Sequence, residues 1–530
     1  MAGEKALVVS TREGQVQGAL VDRVMVFKGI PYAKPPVGSR RWKSPEPMDP
    51  WSNVRPALEF GLSPFQDRQG CIDTGGGDPG KMSEDCLYLN VWTPRAEAGA
   101  KLPVVFWIHG GAFVIGAGNL PAYNGVPLAS QDVVLVTFNY RLGHLGFFAH
   151  PALERENPNG PVNFGLLDQM AALAWVNRNI AQFGGDPDNV TVMGQSAGAK
   201  SVLSLYASPL MKDKNHFKRG VALSSYVLNE LPREDAVSRG TIFASDLDLT
   251  GDDVTMEQLR GLKADDFWKR SPGTVISPAS VVGDPVLPKT LRAAFRDNQA
   301  LKLPLILGST SYDASVAVAF GIEPKDVVER LGNLVGVVRP YYPDVSDDDE
   351  LGRRICTDFV FTVVPRLLAD HHAEHAPVWR CFFDYTAARL RGERPHGVPH
   401  GEDAPWFLLT PDRCPPTQGK LVEEDQQFLR RLQTHVLQFI RTGDPGTSEG
   451  VAWQRHTLLK DAALVLGEEV LMAQPYKKNL LGLAVLAVGM GLIDNAMRPP
   501  AGRRSTPPDP YAVSHFGLTG TNAQAAGQTG

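Results

Sequence analysis

The sequence contains no apolar stretch of membrane-spanning length. Its longest apolar run, Leu480 to Ile493, has 14 residues and includes three glycines, short of the roughly 20 that cross a bilayer. Lys477 and Lys478 precede it, and it reads as a buried C-terminal helix, with an interfacial segment as the alternative. An excess of one charge is also missing. The 53 basic and 58 acidic side chains leave a net charge of −5, and no basic domain stands out, which argues against nucleic acid as a partner. Cysteine is sparse: Cys71, Cys86, Cys356, Cys381 and Cys414 form no C-x-x-C pair and no zinc spacing. Five is odd, so at least one thiol stays free. The N-terminus, MAGEKALVVSTREGQVQG, has no apolar core behind its charges. A cytoplasmic product is expected rather than a secreted one.

What is present is the composition of a globular enzyme-sized chain. Of 530 residues, 43% are hydrophobic and 21% charged, which excludes wholesale disorder. The 52 glycines and 42 prolines exceed average usage and imply many loops. Short β-branched runs alternate with helical stretches: LPVVFWIH (102–109), VVLVTFNY (133–140), VTVMG (190–194), LPLILGS (303–309) and VWRCFFDY (378–385) read as strands buried on both faces. Between them lie segments such as FGLLDQMAALAWVNRNI. The pattern predicts a large, mostly parallel sheet with helices on both sides. Residues 1–495 are expected to form one domain with long loop and helical insertions. Residues 496–530, rich in Pro, Gly and small polar side chains, are expected to be a flexible tail.

In a parallel sheet, chemistry gathers beyond the carboxyl ends of the strands. The strand VTVMG runs directly into Gly194-Gln195-Ser196-Ala197-Gly198. A G-x-S-x-G at a strand-to-helix corner exposes the serine hydroxyl above the sheet, and the flanking glycines let strand and helix approach closely. His109-Gly110-Gly111 follows the strand LPVVFWI. Consecutive glycines there let backbone N–H groups of Gly110 and Gly111 join that of Ala197 as an oxyanion hole.

These features resemble the type-B carboxylesterase and cholinesterase family, and further blocks carry the resemblance. They are Ser83-Glu84-Asp85-Cys86-Leu87-Tyr88-Leu89-Asn90-Val91, Phe27-Lys28-Gly29-Ile30-Pro31-Tyr32-Ala33, Asn139-Tyr140-Arg141, and Phe183-Gly184-Gly185-Asp186-Pro187. The resemblance covers most of residues 8–230 and thins toward Thr442-Gly443-Asp444-Pro445. It implies an α/β-hydrolase fold, no cofactor, and hydrolysis of carboxylic esters through an acyl-enzyme. Cys71 and Cys86 occupy the places of the family's first disulfide. The residues between them include no aromatic, whereas cholinesterases place a tryptophan there to hold quaternary ammonium by cation–π attraction. The implied substrates are small to medium, uncharged esters. An acyl transferase or lactone-forming enzyme, an amide or carbamate hydrolase, and a non-catalytic interaction homologue remain as alternatives.

The triad order serine, acid, histidine selects the other members. His400 is followed by Gly401 and, three residues on, by the acid Asp403, which is the family's register; His396 has Pro399 at that place. Asp313 stands five residues after Gly308, the family's spacing for its acid, although the family more often has glutamate followed by glycine. Asp384 is the competitor. The sequence His371-His372-Ala373-Glu374-His375 matches an inverted zinc-protease pattern. No third ligand is placed for it, and it is read as a solvated helix end with no metal.

Overall fold

All five apolar runs form strands of a single sheet. The computed structural model describes residues 7–226, 230–269, 280–318 and 322–490. The main sheet has 11 strands: β1 (Ala19–Val21), β2 (Val24–Pro31), β3 (Tyr88–Thr93), β4 (Leu102–Ile108), β5 (Val134–Phe138), β6 (Gly185–Gln195), β7 (Arg219–Leu223), β8 (Leu305–Thr310), β9 (Val378–Phe383), β10 (Ala463–Leu466) and β11 (Val470–Ala473). Their spatial order is β1-β2-β3-β5-β4-β6-β7-β8-β9-β10-β11. From β5 to β10 every pairing is parallel. The edge strands β1, β2, β3 and β11 join antiparallel.

The chain moves outward from β4 to β5 and then returns to lay β6 on the other side of β4. This reversal makes a switch point between the loops that follow β4 and β6, the position where open α/β sheets bind ligands. Alternate residues of each strand supply the two cores. Val104, Phe106 and Ile108 face one side with α1 (Phe164–Asn179), α2 (Ala197–Ala207) and α3 (Val363–His372). Val105 and Trp107 face the other, against α4 (Glu423–Thr442). Helix α4 buries Phe428, Leu432, Val436, Phe439 and Ile440, an i, i+4 stripe, and ends at Gly443 with φ 85°, a left-handed position that suits glycine.

Three expectations are corrected or refined. The Cys71–Cys86 disulfide is not formed, and all five cysteines are free and buried. Cys71 packs with Ala117 and Leu120 in a small separate cluster, whereas Cys86 belongs to the main core. Burial pushes the Cys71 thiol up to about 11 and raises that of Cys86 as well, so neither is poised as a thiolate. The segment from His371 to His375 is a helix end, with α3 stopping at His372 and His375 in the following turn. It is not solvated throughout: His372 is buried and its Nε2–H donates to Leu303 O at 2.8 Å. Among the described residues no cluster of three or more His, Cys, Asp or Glu side chains could hold a metal ion. The apolar run near the end forms α5 (Lys478–Gly489), which buries Leu481 and Ala484 and exposes Leu486. Among the described residues no helix is long and apolar enough to cross a membrane. Residues 491–493 of that run, and the expected tail at 496–530, lie outside the described residues.

Candidate active site

Two glycine-rich corners meet at this switch point. At the end of β6, Ser196 has φ 57° and ψ −123°, a conformation that costs a non-glycine residue free energy and is held only by its surroundings. Its N–H donates to Leu223 O at 2.8 Å, and α2 begins at Ala197. Close approach explains the flanking glycine on the helix side. A Cβ on Gly198 would stand 2.0 Å from Ile108 O, so any side chain there would drive α2 away from β4.

The second corner follows β4. Gly111 has φ 100°, and a Cβ on it would meet Ile115 O at 2.2 Å. A Cβ on Gly110 would meet Gln195 O at 2.8 Å and Ser196 Cβ at 3.1 Å, which places the Gly110 backbone directly against the serine. His109 anchors this loop. Burial pushes its pKa down to about 4, so the ring is neutral and its Nδ1–H donates to Gly110 O at 2.8 Å. The ring also stacks on Tyr140 with centroids 4.4 Å apart, and the Tyr140 hydroxyl donates to His109 O at 3.0 Å.

The structure brings Asp313 and His400 together. His400 Nδ1 lies 2.7 Å from Asp313 Oδ1, and Asp313 is fully buried. Its second oxygen accepts the N–H of Thr310 at 2.8 Å. The shorter aspartate reaches the ring because the two loops are stitched together. Ser311 Oγ accepts the N–H of Val398 at 2.8 Å, Tyr312 N–H donates to Val398 O at 3.0 Å, and Ser315 Oγ accepts the N–H of His400 at 2.9 Å. A π-helical turn, Thr357–Thr362, supports both partners from behind. Thr357 Oγ1 accepts the Ala314 N–H at 3.1 Å, and the Phe361 ring lies 5.2 Å from that of His400. π-Helical turns inside helices are frequent at functional sites.

The competitors fall away from this centre. Asp384 is exposed, and His396 Nδ1 sits 2.9 Å from Glu350. Asp403 is buried close enough to Asp313 to feel its charge. Burial first, and then Asp313, push its carboxyl up to about 8, against the opposing pull of the backbone N–H groups of Asp403 and Ala404. Sequence reasoning did not single out Ser311, Ser315, Thr357 or Phe361. Their roles arise from contacts across 39 to 87 residues of chain, for which no local pattern exists. Gln195, read only as the variable position of G-x-S-x-G, places its side-chain nitrogen 3.1 Å from His400 Nε2.

Comparison with known proteins gives the family and the fold. The model of the carboxylesterase family matches residues 5–339 and 343–483. The para-nitrobenzyl esterase of Bacillus subtilis is 33% identical over 484 residues, covering 87% of this chain and 95% of that protein. The fumonisin B1 esterase of Sphingopyxis macrogoltabida is 35% identical, covering 76% of this chain and 75% of its own length. Among solved structures, a carboxylesterase of Geobacillus stearothermophilus superposes with a TM-score of 0.77 at 32% identity, covering 90% of this chain and 99% of that one.

Proposed function

This chain belongs to the carboxylesterase family, is a carboxylic ester hydrolase with the α/β-hydrolase fold, and from that premise we propose that Ser196, His400 and Asp313 carry the reaction. The observation that carries the assignment is the 2.7 Å contact between Asp313 and His400, made beside the corner that holds Ser196. Asp313 accepts a hydrogen bond from the Nδ1–H of His400 and so leaves Nε2 as the acceptor. That nitrogen removes the Ser196 proton as Oγ attacks the ester carbonyl.

The tetrahedral oxyanion is received by the N–H groups of Gly110, Gly111 and Ala197. The last of these opens an 11-residue helix, whose N-terminal dipole favours negative charge. As the carbonyl re-forms, the ester C–O bond breaks and His400 hands its proton to the leaving alcohol. Water then repeats the sequence on the acyl-enzyme: His400 accepts its proton, the acyl–Oγ bond breaks, and Ser196 regains its hydrogen. The acid is released. Preorganised donors of this kind contribute roughly 2.7–4 kcal/mol each when tested by deletion.

Substrates lacking a quaternary ammonium fit the loop between Cys71 and Cys86, which offers no aromatic face. Five unpaired, buried thiols suit a reducing compartment, the cytoplasm. Aryl esters of increasing acyl length, assayed on wild type and Ser196→Ala, test the reading. Activity that survives in the alanine variant contradicts it.

A further inference from the structure

The side chain immediately before the serine sits on the nitrogen that the mechanism needs. Gln195 is 7% exposed, and its Nε2 lies 3.1 Å from His400 Nε2. Its other amide atom, Oε1, lies toward the oxyanion loop, where a Cβ on Gly110 would come within 2.9 Å of it. Gly401, next to the histidine, would bring a Cβ to 3.5 Å from the Gln195 nitrogen. The carboxamide therefore spans the two loops that must stay in register.

Chemistry fixes the direction of the contact. With Nδ1–H donating a hydrogen bond to Asp313, a neutral His400 has only a lone pair at Nε2, so Gln195 must present N–H to it. We propose that Gln195 is a positioning residue whose neutral amide holds resting His400 as the unprotonated base, with Nε2 kept as an acceptor until Ser196 takes the amide's place. A carboxylate at this position has no hydrogen to donate. It would instead draw a proton onto Nε2, because an opposite charge within about 4–6 Å favours the ionised imidazole.

The inference rests on His400 being the general base, and the test separates the two. The readout is the acidic limb of kcat/KM against pH for wild type, Gln195→Glu and Gln195→Met, with His400→Ala as the control. Other titratable groups around the site are Asp313, the buried Asp403, the Glu402–Arg394 pair, the neutral His109 beyond Gly110, and Lys200 on α2. All are unchanged in both variants, so their influence cancels in the comparison.

Gln195→Glu should move the limb to higher pH by about one unit or more. Gln195→Met removes the donor to neutral imidazole and should move it in the same direction by less, with a lower kcat. A simple packing role would lower stability or activity without moving the limb. If both variants keep the wild-type limb while His400→Ala is inactive, the Gln195 proposal is wrong and the base assignment stands. If His400→Ala keeps its activity, the base assignment itself has failed. Should Gln195→Glu not fold, the shift in Gln195→Met decides alone.

Discussion

Asp313 and His400, 87 residues apart in the chain, meet at 2.7 Å, with the carboxylate fully buried behind the ring. A carboxylate so placed fixes the imidazole tautomer and stabilises the imidazolium that forms during acyl transfer. Asp313→Asn keeps the shape but offers the wrong hydrogen, so kcat should fall by roughly 10⁴ with the fold retained. Asp384→Asn, at an exposed site, should be mild. Steady-state kinetics on the two variants check this, and the reverse order of losses would make Asp313 a bystander.

Asp403 predicts a pH dependence of stability. Its carboxyl is pushed from 3.8 up to about 8 in the folded protein, so between those values the folded state holds a proton that the unfolded state has released. The folded state is then penalised as pH rises, by at most about 1.4 kcal/mol per unit for this one group. Asp403→Asn abolishes the penalty. The melting temperature of the variant should exceed that of wild type by a margin that widens from pH 5 to pH 8 and then levels off. A margin that is constant with pH would contradict the assignment.

Close packing at the oxyanion corner predicts a steep cost for one methyl group. Gly111→Ala must hold a Cβ 2.2 Å from Ile115 O at φ 100°, so the loop has to move. Activity should drop at least a hundredfold, the scale of losing one oxyanion donor, while circular dichroism still reports folded protein. Wild-type turnover in this variant would remove the loop from the mechanism.

Substrate preference follows from the loop without aromatics. An uncharged alkyl ester should show a higher kcat/KM than the choline ester of equal acyl length, because no ring is available there for the ammonium. Competing the two substrates in one reaction gives the ratio directly. A preference for choline would mean that a distant loop supplies the ring.

The parts of this molecule that were legible in its sequence are those with local causes. β-Branched runs bounded by glycine locate the central strands, and Gly194 through Gly198 mark the corner because close approach leaves no room for side chains. His400 and Asp313 were found through family register, since nothing local distinguishes them from His396 and Asp384. The strand Arg219–Leu223 and the antiparallel edges gave too short a pattern to be singled out. The Cys71–Cys86 pairing was expected by analogy and fails here, because the two thiols pack in separate clusters. Thr357, Phe361 and the stitching serines were invisible, being defined only by tertiary contact.

The most direct test of the whole account is covalent. An aryl organophosphonate, added at one equivalent to the folded enzyme, should phosphonylate a single residue, abolish ester hydrolysis in proportion to labelling, and map by peptide mass spectrometry to Ser196. Ser196→Ala should take up no label and lose activity by several orders of magnitude. Labelling at another side chain, or near-full activity in the alanine variant, would contradict the account at its centre.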